Sequence, residues 1–195
     1  MKKTLTFILL FSLLFLSSCK DQTSDVIYFV HAAGIENKNN NVKLTLLLEK
    51  HNEKDYFTAS QTEETLHKAV KNLMSEHKEC YFATNDIYLI RTSENKQFLS
   101  DIAKELCDSN VFPTTSEIIS LEDVDIEGFM KKLNNTDKLK KLRKNSIKGR
   151  VNIINFFSHY TSAKEVSLNT FTLKDGKITK TKQTTFTYNQ KRRNK

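Results

Sequence analysis

From residue 26 onward the apolar positions recur with a period near two residues in some stretches and near three and a half in others, and the switches mark out the elements. Val26-Ile27-Tyr28-Phe29-Val30 is a β-rich run ending at Ala32-Ala33-Gly34. Glu36 to Asn41 is a polar turn, and Val42 to Leu48 returns as a strand, so the pair is read as a hairpin. After a short extended piece at Tyr56 to Ala59, Ser60-Gln61-Thr62-Glu63 has the spacing of a capping box, whose hydroxyl and carboxylate satisfy reciprocal amide donors. The helix expected behind it buries Leu66, Ala69, Val70, Leu73 and Met74.

Cys80-Tyr81-Phe82 and Ile87-Tyr88-Leu89-Ile90 predict one more strand or a broken pair, followed by a helix with Phe98, Leu99, Ile102, Ala103 and Leu106 on its buried face. Ile118-Ile119 is a short strand, and Ile126, Phe129, Met130 and Leu133 mark a short helix. Lys138 to Arg150 has sparse apolar residues and reads as a linker or mobile loop, within a basic loop near residues 134–150. Val151, Ile154, Phe157 and Tyr160 suggest a last helix. Val166 to Leu173 and Ile178 to Tyr188 flank Asp175-Gly176, a hairpin turn signal because both positions need positive φ. The pattern predicts one α+β domain over residues 26–190, a mixed sheet covered by amphipathic helices and ending in a C-terminal β-hairpin.

Ahead of that domain the chain changes character. Lys2 and Lys3 precede an apolar stretch from Leu5 to Leu16, which closes on Leu16-Ser17-Ser18-Cys19. The stretch is too short to span a bilayer, which needs about 20 apolar residues, and has the form of a signal peptide over residues 1–18. Small residues directly before a cysteine form a lipobox: the thiol of Cys19 accepts a diacylglyceryl group and becomes the mature N-terminus. Residues 19–25 are then the lipidated cysteine and its tether. The expectation is an exported lipoprotein held on the outer face of a cell membrane, with fatty acyl chains such as palmitate as the anchor.

Net charge hides a strong asymmetry. From residue 131 to the end there are eighteen Lys and Arg against three Asp and Glu, whereas residues 19–130 carry eleven against twenty. Lys138, Lys140, Lys141, Arg143, Lys144, Lys148 and Arg150 form a candidate basic contact surface, and residues 191–195 add a basic tail. In a cytosolic protein this would raise nucleic acid as a partner. Export excludes it and leaves anionic lipid headgroups, an acidic partner surface, or a solvated face.

The search for chemistry is brief. No Gly-rich phosphate loop, metal-binding His-Glu-x-x-His pair, nucleophile elbow or paired-cysteine metal site is present, so no catalytic residues, cofactor, metal site or small-molecule site is assigned. His31, in an apolar strand, reads as a partly buried structural residue. Asp123, Asp125 and Glu127 read as a solvated acidic helix start. Cys80 and Cys107 read as two buried thiols in preference to a disulfide.

With the elements in order, the chain resembles the N-terminal domain of the Ger(x)C spore germination lipoproteins, the C subunits of germinant receptors. The resemblance rests on Cys19 at a lipobox, Ala33-Gly34-Ile35-Glu36 closing the first strand, Thr58-Ala59-Ser60 before the helix Thr65 to Leu73, Tyr81-Phe82-Ala83 before Ile87 to Ile90, and Val151 to Phe157 leading to the Asp175-Gly176 hairpin. Lys20-Asp21 stand where that family carries Trp-Asp, and Ala83-Thr84 where it carries Gly-His. The resemblance implies a shortened, diverged and non-enzymatic relative that assembles with integral-membrane receptor subunits at the spore inner membrane. The competing expectation is a small substrate-binding or accessory lipoprotein of a membrane transporter.

Overall fold

The computed structural model describes residues 26–51, 53, 55–146, 149–162 and 165–187. They form an eight-stranded mixed sheet with helices on both faces. Strands β1 (Ile27–Lys38), β2 (Asn41–Lys50) and β3 (Tyr56–Glu63) make an antiparallel meander. β1 then runs parallel to β4 (Glu79–Tyr81) over its first residues and to β5 (Ile87–Arg91) over its later ones. β5, β6 (Glu117–Leu121) and β7 (Glu165–Lys174) continue in parallel, and β7 pairs antiparallel with the edge strand β8 (Lys177–Thr187). The α+β class and the terminal hairpin are those expected from the pattern.

Helices α1 (Leu66–Glu76), α2 (Lys96–Asp108) and α5 (Ile153–Thr161) cover one face of the sheet. The shorter α3 (Ile126–Lys132) and α4 (Thr136–Ser146) cover the other. A central strand must therefore be apolar on both sides: Tyr88 and Ile90 enter the first core while Ile87 and Leu89 enter the second. Continuous apolar runs such as Ile87 to Ile90 follow from that burial.

Close packing of α3 on β1 depends on Gly34. A Cβ there would lie 2.1 Å from Ile126 Cγ2, a distance no real contact shows. Beside it Lys43 reaches Glu36 at 3.2 Å and Glu127 of α3 at 3.3 Å. Burial works against the Lys43 charge, but the hydrogen bonds and charges of Glu36 and Glu127 outweigh it and raise the pKa. β1 continues through Glu36 to Lys38, paired with Lys43 to Asn41 of β2, so the expected six-residue turn shrinks to Asn39-Asn40, both at positive φ.

Three expectations need correction. Ser60 to Glu63 are not a helix cap: they complete β3, where Ser60 pairs with Thr45 and their hydroxyls are 3.0 Å apart. Thr65 caps α1 instead, accepting from the Lys68 amide at 3.2 Å. The basic segment is not a loop. Residues Thr136–Ser146 form α4, with Leu139 and Leu142 buried and Asn135 Oδ1 accepting from the Lys138 amide at 3.0 Å. Its stripe runs Leu139, Leu142, Ser146, and a serine at the third position interrupts the apolar period on which a helix assignment depends. Finally, α5 buries Ile153, Phe156 and Tyr160, while Ile154 is half exposed. Tyr160 sets that face by donating to the Lys96 carbonyl at the start of α2 at 2.9 Å.

Candidate functional site: a basic helix face and a polar cleft

The folded chain divides the candidate basic residues into two groups. Lys138, Lys140, Lys141 and Lys144 stand exposed on the outer side of α4. Across a groove of about 360 Å³, Lys177 on the β7–β8 hairpin faces Lys132, Lys138 and Lys141, and Leu142 and Ile178 contribute apolar lining. Lys174, Lys180 and Lys182 extend the same sign along the hairpin, and Lys180 ties it to α4 by donating to the Asn145 carbonyl at 3.1 Å. Acidic relief is sparse there, with Asp137 and Asp175 exposed beside the lysines. Charged residues on β8 also have a structural use, since they protect an edge strand from pairing with other chains.

Arg143 and Arg150 turn the other way. Arg143 pairs with Asp86 at 2.8 Å and Arg150 with Glu117 at 3.3 Å, each guanidinium remaining about two-fifths exposed. Glu117 is 7% exposed, and Ser146 Oγ donates to its Oε2 at 2.8 Å. Burial pushes the Glu117 carboxyl above the ordinary carboxylate range, against the opposing pull of Ser146, Arg150, Asn169 and Arg143. Asn169 donates from Nδ2 to the carbonyls of Ser146 at 2.9 Å and Gly149 at 3.4 Å. These bonds pin the exit of α4 to β7. Gly149 sits at φ +78°, where a Cβ would meet Gln183 Nε2 at 2.4 Å.

The two arginines border a cleft of about 390 Å³ at the amino-terminal ends of β5 and β6. Asn85, Asp86, Ser116 and Glu117 form part of its wall, with Asn152 and Asn155 contributed by the start of α5. Asn85 is 3% exposed, and its amide, like Glu117 Oε1, is closed off from solvent. The Tyr88 hydroxyl interacts with the side chains of Asn85 and Ser116 and donates to the Pro113 carbonyl at 3.5 Å. Sequence reasoning found the arginines and missed Asn85, Asp86 and Glu117, which lie in the link before β5 and at the start of β6 and share no motif.

A third surface surrounds the point where the folded domain begins. Val26, Phe57 and Tyr81 are three of the five large apolar side chains that stand exposed among the described residues. Tyr28 makes edge contacts with Phe57 and His77, and Phe29 with Tyr81 and His51, so the start of β1 carries aromatic groups on both faces.

The remaining expectations are placed as follows. His31 bonds Glu49 at 2.6 Å and stacks on Tyr56 at a bulge of β1, a structural role. Asp125 caps α3 by accepting from Gly128 at 2.7 Å. Cys80 and Cys107 are free and half-buried, and burial raises both thiols, Cys80 to about 11. Cys19, Lys148, the signal segment and the tail 191–195 lie outside the described residues. Among the described residues no helix is long and apolar enough to cross a membrane. Comparison with protein-family models, with curated proteins and with solved structures returns no match for this chain.

Proposed function

We propose that the chain is a lipid-anchored, non-catalytic component of a membrane complex of the germinant-receptor type, acting in spore germination by protein–protein assembly on the outer face of the inner membrane. The observation that carries the anchor is the aromatic rim at the start of β1. Cys19 and Ile27 are eight residue steps apart, at most about 28 Å even when fully extended. An acyl group on Cys19 therefore keeps Val26, Phe57 and Tyr81 within reach of the headgroup layer, where the amphipathic ring of Tyr81 is favoured and the other two add apolar contact. The lysines of α4 and the hairpin then offer a partner-binding face, each near-surface cation adding about 1 kcal/mol toward an acidic surface.

Two measurements test this. Metabolic labelling with a fatty acid should mark the wild-type protein and not Cys19→Ala, and that variant should leave the membrane fraction or remain unprocessed. Label persisting in the variant overturns the anchor. Deleting the gene should impair the response of spores to at least one germinant without slowing vegetative growth, and the protein should co-purify with multi-span membrane subunits. Expression confined to growing cells and co-purification with a solute permease would replace the germination reading with the transporter one.

A further inference from the structure

We propose that the outer edge of β3 is an interface between two copies of this chain, paired antiparallel about Ser60. The inference goes beyond the membrane-complex reading and does not use the anchor. It starts from a contrast between the two edges of the sheet, β3 and β8. β8 carries devices that keep an edge from pairing: Lys177, Lys180 and Lys182 along its length, and an irregularity in its register with β7. β3 carries none of them. It contains no lysine, arginine or proline, its one charged residue is Glu63 at its end, and its pairing with β2 runs from Tyr56 to Glu63 without a register shift. From Phe57 to Glu63 no residue is buried.

Two bonds fix which backbone groups line that edge. The Tyr56 amide donates away from β2, to the Asn134 carbonyl at 3.5 Å, and the amide of His51, just past β2, donates to the Ile27 carbonyl of β1 at 2.8 Å. Directions alternate residue by residue in an antiparallel ladder, so Phe57, Ala59, Gln61 and Glu63 bond β2 while Thr58, Ser60 and Thr62 turn N–H and C=O outward. Those six backbone groups have no hydrogen-bond partner among the described residues. Another strand offers the matching row at the same two-residue spacing, and β3 matches itself. With Ser60 of one copy opposite Ser60 of the other, Thr58 lies opposite Thr62, and outward groups meet outward groups at all three positions. Ala59 then faces Gln61 and Phe57 faces Glu63, so no like charges meet. Phe57, one of the exposed large apolar side chains, lies within the strip. The strip is narrow, which places the dimer among weak associations, with a dissociation constant of about 10–100 µM.

The test uses the full-length protein purified in detergent, with sedimentation equilibrium to follow dimerisation. Ser60→Lys sets two ammonium groups opposite each other, and Thr62→Pro removes one outward N–H at an exposed position, a change that edge strands tolerate. Each should weaken dimerisation at least tenfold and still melt cooperatively. Cysteine pairs read the register and keep the test open if either variant fails to fold. Under mild oxidation Ser60→Cys should cross-link above the wild-type blank, since facing Cα atoms about 5.5 Å apart suit a disulfide. Thr58→Cys alone should not, because its counterpart lies about 13 Å along the strand, but it should when mixed with Thr62→Cys. A protein that stays monomeric at about 200 µM overturns the proposal. So does a dimer that Ser60→Lys and Thr62→Pro leave at wild-type strength, or cross-linking by Thr58→Cys alone as efficient as that by Ser60→Cys. A monomer that instead binds a peptide of residues 41–50, with loss of binding in Thr62→Pro, would assign the edge to a strand from a different chain and overturn self-pairing.

Discussion

Helix α4 and the turn that follows it hold two kinds of basic residue, and the fold treats them differently. Lys138, Lys140, Lys141 and Lys144 face solvent along the helix, whereas Arg143 and Arg150 point into a cleft and meet Asp86 and Glu117. The side chains explain the division. A guanidinium presents a planar fork of donors and is more weakly hydrated than an ammonium, so it tolerates a half-buried pairing that a lysine would resist. A run of positive charge in a sequence is thus not one surface. Part of it is available to a partner, and part is already committed to holding α4 against the ends of β5 and β6.

The largest effect should come from the apolar side of α4. Leu142 is 1% exposed, and Leu142→Ala should cost about 2–5 kcal/mol in denaturant unfolding, as for other buried leucines. A loss below about 0.5 kcal/mol would mean that the segment is the loop its composition suggests.

Glu117 gives the next effect, read as a pH dependence. Its folded pKa lies above the ordinary value because of burial, so the folded protein takes up the proton before the unfolded chain does. Stability from this group is fully present below the unfolded pKa and is lost as pH rises through the folded one. The melting temperature of wild type minus that of Glu117→Gln should therefore increase as pH falls from about 7 to about 5. A difference that shrinks over that interval would show Arg143 and Arg150 outweighing burial.

The smallest effect on stability belongs to the lysines. Reversing Lys138, Lys140, Lys141 and Lys144 to Glu should leave each single variant within about 0.5 kcal/mol of wild type, since none is held in an ion pair among the described residues. Association of the protein with anionic vesicles or with an acidic partner should fall with each reversal and with added salt, because exposed charges are screened over about 8 Å at physiological ionic strength. Salt-insensitive association would leave these lysines as a solvated helix face and nothing more.

Much of the architecture is local and was legible from the pattern. Stripes at helical spacing identified α1, α2 and α3, and Asp175-Gly176 identified the β7–β8 turn, where φ is +50° and +69°. These features depend on residues a few positions apart, whose periodicity or backbone preference is written in the chain. The charge asymmetry between residues 19–130 and the rest of the chain is read directly from the sequence in the same way. What only the tertiary structure decided depends on partners distant in sequence. Ser60 joined a strand because Thr45 lies opposite it, and residues 136–146 became a helix because the second face of the sheet needed cover that two leucines sufficed to supply. The cleft is the extreme case: Asn85, Glu117 and Arg150 come from a turn, a strand start and a helix link, and no local rule connects them until the parallel register of β5 and β6 brings their ends together.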